Sequence, residues 1–323
     1  MARPGLQRVD TDLGRAYVLT QLTGPVAVGD QVILNTTAVD LGLGTGGWHV
    51  VHWNLARGAW SEAGPGHIMK LRYTSLQVDT GAAEEDHPNL PSDLREMPVV
   101  VCSLHSQLPC VAVALLASAP SARLVYVMTD GAALPIVLSD LVADMVERGL
   151  IAATITAGQA FGGDLEAVSI PSALVLARHV LAADAVIVAM GPGVVGTGTE
   201  LGTSAVEVAA VLDAASGLGG RAVAALRMSS GDQRPRHNGV SHHSRTALDL
   251  TRSAVLVASP RAGAFDHERH AVQVVAVPPM ASLLADAGLS VTSMGRDVAA
   301  DPLFFDAAGA AGALAASLLR NAG

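Results

Sequence analysis

Residues 185–196 read AVIVAMGPGVVG: six apolar residues rich in β-branched side chains, followed at once by glycine and proline. A run of this length that ends at such a turn is typical of a strand buried on both faces. It predicts a strand of a parallel sheet, with a glycine-rich loop at its carboxyl end.

Similar apolar runs recur from residue 98 onward and alternate with segments of helical spacing. The predicted strands are 99–104, 123–128, 151–156, 185–190, 222–227, 254–258 and 272–277. The predicted helices are 109–118, 135–148, 172–182, 204–216, 280–287 and 303–320. This alternation implies a mostly parallel sheet covered by helices on both faces. Residues 98–323 are therefore expected to form a three-layer, Rossmann-like α/β domain that binds a ligand or catalyses a reaction.

Residues 1–77 have a different pattern, with short β-branched segments separated by turns. The predicted strands are 16–23, 31–39, 48–55 and 67–77. Several short strands in so short a stretch indicate a small N-terminal β-barrel domain. The acidic, proline-bearing residues 78–97 have no periodicity and are predicted to form a linker.

The composition excludes several classes of partner. Half of the 323 residues are apolar, and the formal net charge is −9. Nucleic acids and anionic membranes need a basic surface, so neither is expected. Cys102 and Cys110 lie in apolar segments without CxxC spacing, which suits a reducing compartment. No run looks long enough to span a bilayer and residues 1–10 lack a signal peptide's apolar stretch, so a cytoplasmic protein is predicted.

Cationic residues are concentrated in residues 227–248, RMSSGDQRPRHNGVSHHSRTAL. Guanidinium and imidazole groups give strong charge-assisted hydrogen bonds to anions. The segment therefore predicts a site for a small phosphorylated or carboxylated ligand. The ligand-binding residues expected in it are Arg227, Arg234, Arg236 and His237.

Polar residues also follow other predicted strands, His105 after the first and Asp130 after the second. The carboxyl ends of parallel strands share one edge of a sheet, so these residues are expected to meet the cationic segment in a single hollow. There His105, His242 and His243 would be the catalytic acid–base residues, because imidazole titrates near neutrality, and Asp130 would orient one of them.

The loop after residue 190 has glycines in G-x-G-x-x-G spacing and two threonines: Gly191, Gly193, Gly196, Thr197 and Thr199. Such glycines let backbone N–H groups approach an anion. The loop fits a dinucleotide, another anion or a purely structural turn. Arg227 after the next strand would suit the 2′-phosphate of NADP, whereas Pro192 removes a donor. A capping box of Ser204 and Glu207 predicts the next helix start.

No metal is predicted. Adjacent histidines such as His242 and His243 usually point apart, and neither HExxH nor helical i, i+4 spacing is present. A metal at this pair would need His105, Asp130 or Asp232 as a further ligand.

Seven segments together resemble a bacterial family catalogued only as a domain of unknown function: 34–47, 66–77, 102–109, 128–135, 156–168, 191–199 and 236–248. The resemblance extends from about residue 10 to 300. It implies a bacterial protein of two parts, and it brings no activity, cofactor or site residue with it.

The expected function is the binding of a small anionic metabolite by an enzyme of hydrolase or transferase type, with no cofactor assigned. One alternative is a non-catalytic ligand-sensing or scaffold module, because no complete nucleophile–base set is present. Another is an NADP-linked oxidoreductase. The alanine-rich tail 302–320 would suit either a homodimer contact or an internal packing helix.

Overall fold

The structure of the chain is a computed structural model, which describes residues 2–43, 45–131 and 135–320. It divides into two compact units, unit 1 (Met1–Ala82) and unit 2 (Ala83–Gly323). Residues 83–97, which make up most of the predicted linker 78–97, are part of unit 2, where a side-chain oxygen of Glu84 accepts from the backbone N–H of Val168. The glycine-rich bend at residue 44 and residues 132–134 lie outside the described residues.

Unit 1 contains one mixed sheet. Its strands and short helices are β1 (Ala2–Arg3), β2 (Leu6–Thr11), β3 (Gly14–Leu19), α1 (Thr20–Thr23), β4 (Val32–Asn35), α2 (Thr37–Asp40) and β5 (His49–Asn54). The sheet order is β1-β2-β3-β5-β4, and only β3 and β5 run parallel. Within the described residues the edge strands β1 and β4 do not pair with each other, so the predicted barrel is not confirmed.

The predicted strand 67–77 is wrong. Only two residue pairs form there, between β6 (Met69–Lys70) and β7 (Val78–Asp79). Leu71 and Tyr73 have φ angles of 50° and 64°, in the left-handed region, so the chain turns where the alternation suggested continuous strand. Lys70 sits just before this turn and is 1% exposed.

Unit 2 contains the parallel sheet. Its strands are β8 (Pro98–Cys102), β9 (Leu124–Thr129), β10 (Ala153–Ala157), β11 (Leu165–Ala167), β12 (Ala185–Met190), β13 (Arg221–Ala225), β16 (Leu256–Ser259) and β17 (Ala271–Val274), with a small hairpin of β14 (Met228–Ser229) and β15 (Gly239–Val240). Its helices are α3 (Ala83–Asp86), α4 (Leu108–Ser118), α5 (Asp140–Glu147), α6 (Ile170–His179), α7 (Glu207–Gly217), α8 (His242–Leu250), α9 (Met280–Asp286) and α10 (Pro302–Arg320). The eight strands are parallel, in the order β11-β10-β9-β12-β8-β13-β16-β17.

Successive strand residues point to opposite faces, as the pleat requires. Tyr126 and Ile187 join the core under α4, α5, α9 and α10, whereas Val127 and Val188 join the core under α6, α7 and α8. The predicted three-layer α/β fold is therefore confirmed.

The strand order decides where each loop goes. The chain leaves β8 and β9 toward α4 and α5 on one face, and it leaves β12 and β13 toward α7 and α8 on the other. In the sheet β9 lies beside β12, and β8 lies beside β13. Neighbouring loops therefore diverge at the carboxyl edge, the arrangement that opens ligand crevices in sheets of this type.

Helix α10 corrects the expectation that no run of the chain is long enough to span a bilayer. Its window Pro302–Leu319 has a mean hydropathy of 1.5 over 18 residues, long and apolar enough to cross a membrane by length and composition. However, 61% of that window is buried, and the helix packs against α4 and the sheet as a core helix does.

Candidate functional site

The loop after β13 closes back on its own beginning. The backbone N–H of Arg227 donates to Ser244 Oγ at 2.8 Å, and the N–H of Ser241 donates to the Arg227 carbonyl at 2.9 Å. Between these points the β14–β15 hairpin and a short helical turn, Pro235–His237, carry the chain out and back. His237 is thereby placed beside the start of α8.

His237, His242 and His243 form one cluster. Their ring centroids are 5.0, 4.9 and 4.4 Å apart, and one ring nitrogen from each lies within 4.8 Å of the others. Ser241, which is fully buried, caps α8 by accepting from the N–H of His243 at 3.2 Å, and its Oγ lies 2.8 Å from Nδ1 of His237. The expectation that the adjacent histidines point apart is wrong, because the rings of His242 and His243 lie 4.4 Å apart. Ser241 fixes both the start of α8 and the ring of His237 that faces them.

Two arginines beside this cluster are neutralised by buried carboxylates. Arg234 donates to Asp232 twice, from Nε at 2.9 Å and from Nη2 at 2.7 Å. The hydrogen bonds from Arg234 hold the pKa of Asp232 well below its usual range. Arg296 contacts Asp232 at 3.4 Å and donates from Nε to Asp301 at 3.1 Å. Asp301 also accepts from Ser229 Oγ at 2.5 Å, which holds the loop against the start of α10.

The charges of Arg227 and Arg236 are less well compensated. Arg227 is 5% exposed, donates to Nδ1 of His243 at 3.2 Å, and lies 3.9 Å from the nearest oxygen of Asp232. Burial, reinforced by the neighbouring Arg234, lowers the pKa of Arg227 to about 10. Arg236 is exposed, and within the described residues its guanidinium makes no hydrogen bond or ion pair. Positive charge is therefore in surplus here, in a chain whose net charge is −9.

The glycine loop forms one wall of this cluster. A Cβ placed on Gly196 would lie 3.4 Å from Nε2 of His243, and one placed on Gly198 would lie 3.8 Å from Cζ of Arg236. Gly191 and Gly193 lead into the loop from β12, and Gly193 takes a φ of 118°, which favours glycine.

Much of the loop is bonded to itself. The backbone N–H of Thr197 donates to the Gly202 carbonyl at 2.7 Å, and the hydroxyls of Thr197 and Thr199 lie 2.8 Å apart. The predicted capping box is wrong: Ser204 Oγ accepts from the N–H of Val195 at 3.1 Å, so it ties the loop together instead. The backbone N–H groups of Val195 and Thr197, used in this way, are not free for a dinucleotide pyrophosphate.

The surroundings keep the clustered histidines neutral. Burial and then the charge of Arg227 lower the pKa of His237 to about 3 and that of His243 to about 4. Burial, followed by Arg236, also lowers the pKa of His242. At neutral pH each ring therefore has one N–H and one lone pair, so the cluster can both donate and accept a proton.

His105 does not join the cluster. Its Nε2 lies 2.7 Å from Ser139 Oγ, and its Nδ1 lies 3.4 Å from the hydroxyl of Tyr126. Burial lowers its pKa to about 4. The loop after β8 turns toward α4, whereas the loop after β13 turns toward α8 on the opposite face. The structure therefore places the His105 ring against Ser139 and Tyr126, on the α4 side of the sheet, and not in the cluster of His237, His242 and His243.

Asp130 does not orient any of these histidines. Its Oδ2 accepts from the backbone N–H of Gln159 at 3.3 Å, and its charge acts on Glu207. Thr129 donates to Glu207 at 2.6 Å, while burial and then Asp130 raise the pKa of Glu207 above its usual value. Asp130 and Glu207 thus form a carboxylate pair at the crevice between β9 and β12.

Comparison with known proteins gives a family. A protein-family model described as "Protein of unknown function (DUF3866)" matches residues 15–312. The chain belongs to this family. No curated protein and no solved structure matches the chain.

In this DUF3866 protein, sequence reasoning missed the groups that support the cationic residues. Asp301 and Arg296 are separated from the loop 227–241 by more than fifty residues in the sequence, so no local pattern indicates that they hold it. Glu207 was interpreted as a capping residue. Ser241 leaves a local signal, because serine is among the residues preferred at the N-cap of a helix.

Proposed function

We propose that this DUF3866 protein binds a small phosphorylated or carboxylated metabolite at the face formed by Arg227, Arg236 and the histidine cluster. The observation that carries the proposal is a surplus of positive charge. Arg227, Arg234 and Arg296 share the carboxylates of Asp232 and Asp301. The guanidinium of Arg236 has no ion pair among the described residues. An anion seated there would supply the missing acceptors, and charge-assisted hydrogen bonds from arginine are among the strongest in proteins.

The neutral histidines would add acid–base chemistry to this binding. An imidazole with a free lone pair beside a bound ester or anhydride can accept the proton of an attacking water or hydroxyl. A reaction of hydrolase or transferase type fits such a site best. Support for turnover comes from His242, which is half-buried and therefore reachable.

The proposed setting is a bacterial cytoplasm. Cys102 and Cys110 are buried free thiols, in keeping with a reducing compartment. The proposed partners exclude nucleic acid and membranes, since the cationic surplus is local and the chain as a whole is acidic.

Calorimetric titration with inorganic phosphate, followed by a panel of phosphorylated and carboxylated metabolites, tests the proposal. Arg236→Gln should weaken binding by about tenfold or more, because a hydrogen bond to a charged group contributes about 1.5–3 kcal/mol. Arg252→Gln is the matched control, since Arg252 is an exposed arginine that precedes β16 at the amino edge of the sheet. Equal affinities for wild type and Arg236→Gln, or no binding by wild type, would overturn the proposal. Assaying the ligands that bind for product formation separates an enzyme from a sensor.

A further inference from the structure

We propose that His237, His242 and His243 together bind a divalent transition-metal ion of the zinc class. This inference goes beyond the anion site and does not depend on it. It reverses the expectation drawn from the sequence, where the histidine pair lacked a third ligand.

The spacing of the three rings fits a common ion. Zinc lies about 2.0–2.1 Å from each histidine nitrogen, which at tetrahedral angles places the nitrogens about 3.3–3.4 Å apart. In the structure one nitrogen from each ring lies within 4.8 Å of the others. Small side-chain rotations are enough to close this difference, because His242 and His243 extend from consecutive positions of α8 toward His237.

One ring nitrogen lacks the partner that its burial demands. Nε2 of His242 is buried, and it has no hydrogen-bond partner among the residues that the structure describes. A buried polar atom without a partner carries an uncompensated desolvation cost, so native proteins rarely keep one. Coordination of an ion by this lone pair removes the cost.

Ser241 prepares His237 for the same ion. Metal-binding histidines commonly donate their second ring N–H to an oxygen, which fixes the ring and leaves the other nitrogen with its lone pair. Ser241 Oγ lies 2.8 Å from Nδ1 of His237 and is buried with it. With Nδ1–H directed at this hydroxyl, Nε2 of His237 is the ligand atom.

His243 is shared between the ion and Arg227. Its Nδ1 accepts from Arg227 at 3.2 Å, so coordination at this atom requires the guanidinium to turn away. Three imidazole ligands leave the fourth position of a tetrahedral ion open for water or an anion. The guanidinium of Arg227, turned away from His243, would then lie beside that fourth ligand. An anionic fourth ligand would balance the charge of the metal ion and that of the guanidinium.

Titration of the full chain with zinc chloride alone tests the inference, with cobalt(II) absorption as a second readout of tetrahedral nitrogen coordination. Wild type is expected to bind one ion per chain and to give the cobalt spectrum. His237→Gln, His242→Gln and His243→Gln should each weaken zinc binding by about tenfold or more and lose the spectrum. Circular dichroism of each variant establishes that it is folded, and the three substitutions are read together so that one misfolded variant does not decide the result.

His267→Gln is the matched control. His267 also stands in a histidine pair, 4.2 Å from the ring of His270 and 3.1 Å from a carboxylate oxygen of Asp249, but it is remote in sequence from the cluster. The His267→Gln variant should bind zinc as wild type does. No stoichiometric binding by wild type, or an equal loss in His267→Gln, would overturn the metal site. Phosphate binding without zinc binding would leave the proposed function intact.

Discussion

The buried His105 should make the stability of unit 2 depend on acidity. Its pKa falls from 6.5 to about 4 on folding because burial disfavours the charged ring. Between these two values the unfolded chain binds a proton that the folded chain does not. The free energy of unfolding must therefore decrease as the pH falls from about 6.5 toward 4.

The size of this loss follows from the two pKa values. At about 1.4 kcal/mol per pKa unit, the complete effect of His105 is about 3 kcal/mol, reached only below pH 4. At pH 5 the unfolded imidazole is almost fully protonated and the folded one only about a tenth, so the loss there is about 2 kcal/mol. Both ring nitrogens have partners, Nε2 in Ser139 and Nδ1 in Tyr126. The Met190 backbone favours the charged ring, but burial outweighs this contribution.

Urea unfolding of wild type and His105→Gln at pH 7.5 and pH 5 measures this loss. Glutamine keeps a polar group near Ser139 but does not titrate, so the other histidines contribute equally to both proteins and cancel. All three tryptophans lie in unit 1, and the long helices lie in unit 2, so far-ultraviolet circular dichroism is the appropriate signal for unit 2. Wild type should lose about 2 kcal/mol more than the variant between the two pH values. The same loss in both proteins would refute the assignment of a buried neutral imidazole.

Three other substitutions test the packing of unit 2. Glu207→Gln should raise the thermal midpoint at pH 8, because the raised pKa of Glu207 means that its charge costs stability above the folded pKa. The gain in thermal midpoint should vanish below pH 4.5, the ordinary pKa of a glutamate side chain. A gain that persists at pH 4 would contradict this explanation. Gly312→Ala should destabilise by about 1–3 kcal/mol, because a Cβ there collides with the rigid backbone carbonyl of Val111 in α4. Gly309→Ala, whose Cβ meets only the flexible side chain of Met280, should cost much less in the same melts, and equal losses would argue against close α4–α10 packing.

The parallel sheet could be predicted because burial on both faces leaves a local signal. A strand such as β12 is apolar at every position, so its limits can be seen without knowledge of its neighbours. The strands of unit 1 lack that signal. Their ends depend on turns, and alternation alone did not indicate that Leu71 and Tyr73 reverse the chain.

The candidate site was predictable where it is local. Arg227, Arg236 and the three histidines lie within one short loop and the helix after it, so their approach needs only that loop to close. The surroundings of His105 could not be predicted, because the sequence shows the order of strands along the chain and not their order in the sheet. The face of the sheet toward which a loop leaves depends on the order of the strands in the sheet.

Lys70 is the only lysine of the chain, and its side chain is almost fully enclosed. Acyl transfer to a side-chain amine requires that the nitrogen be reachable. In the folded protein, amine-reactive dyes and crosslinkers therefore find no reachable lysine side chain.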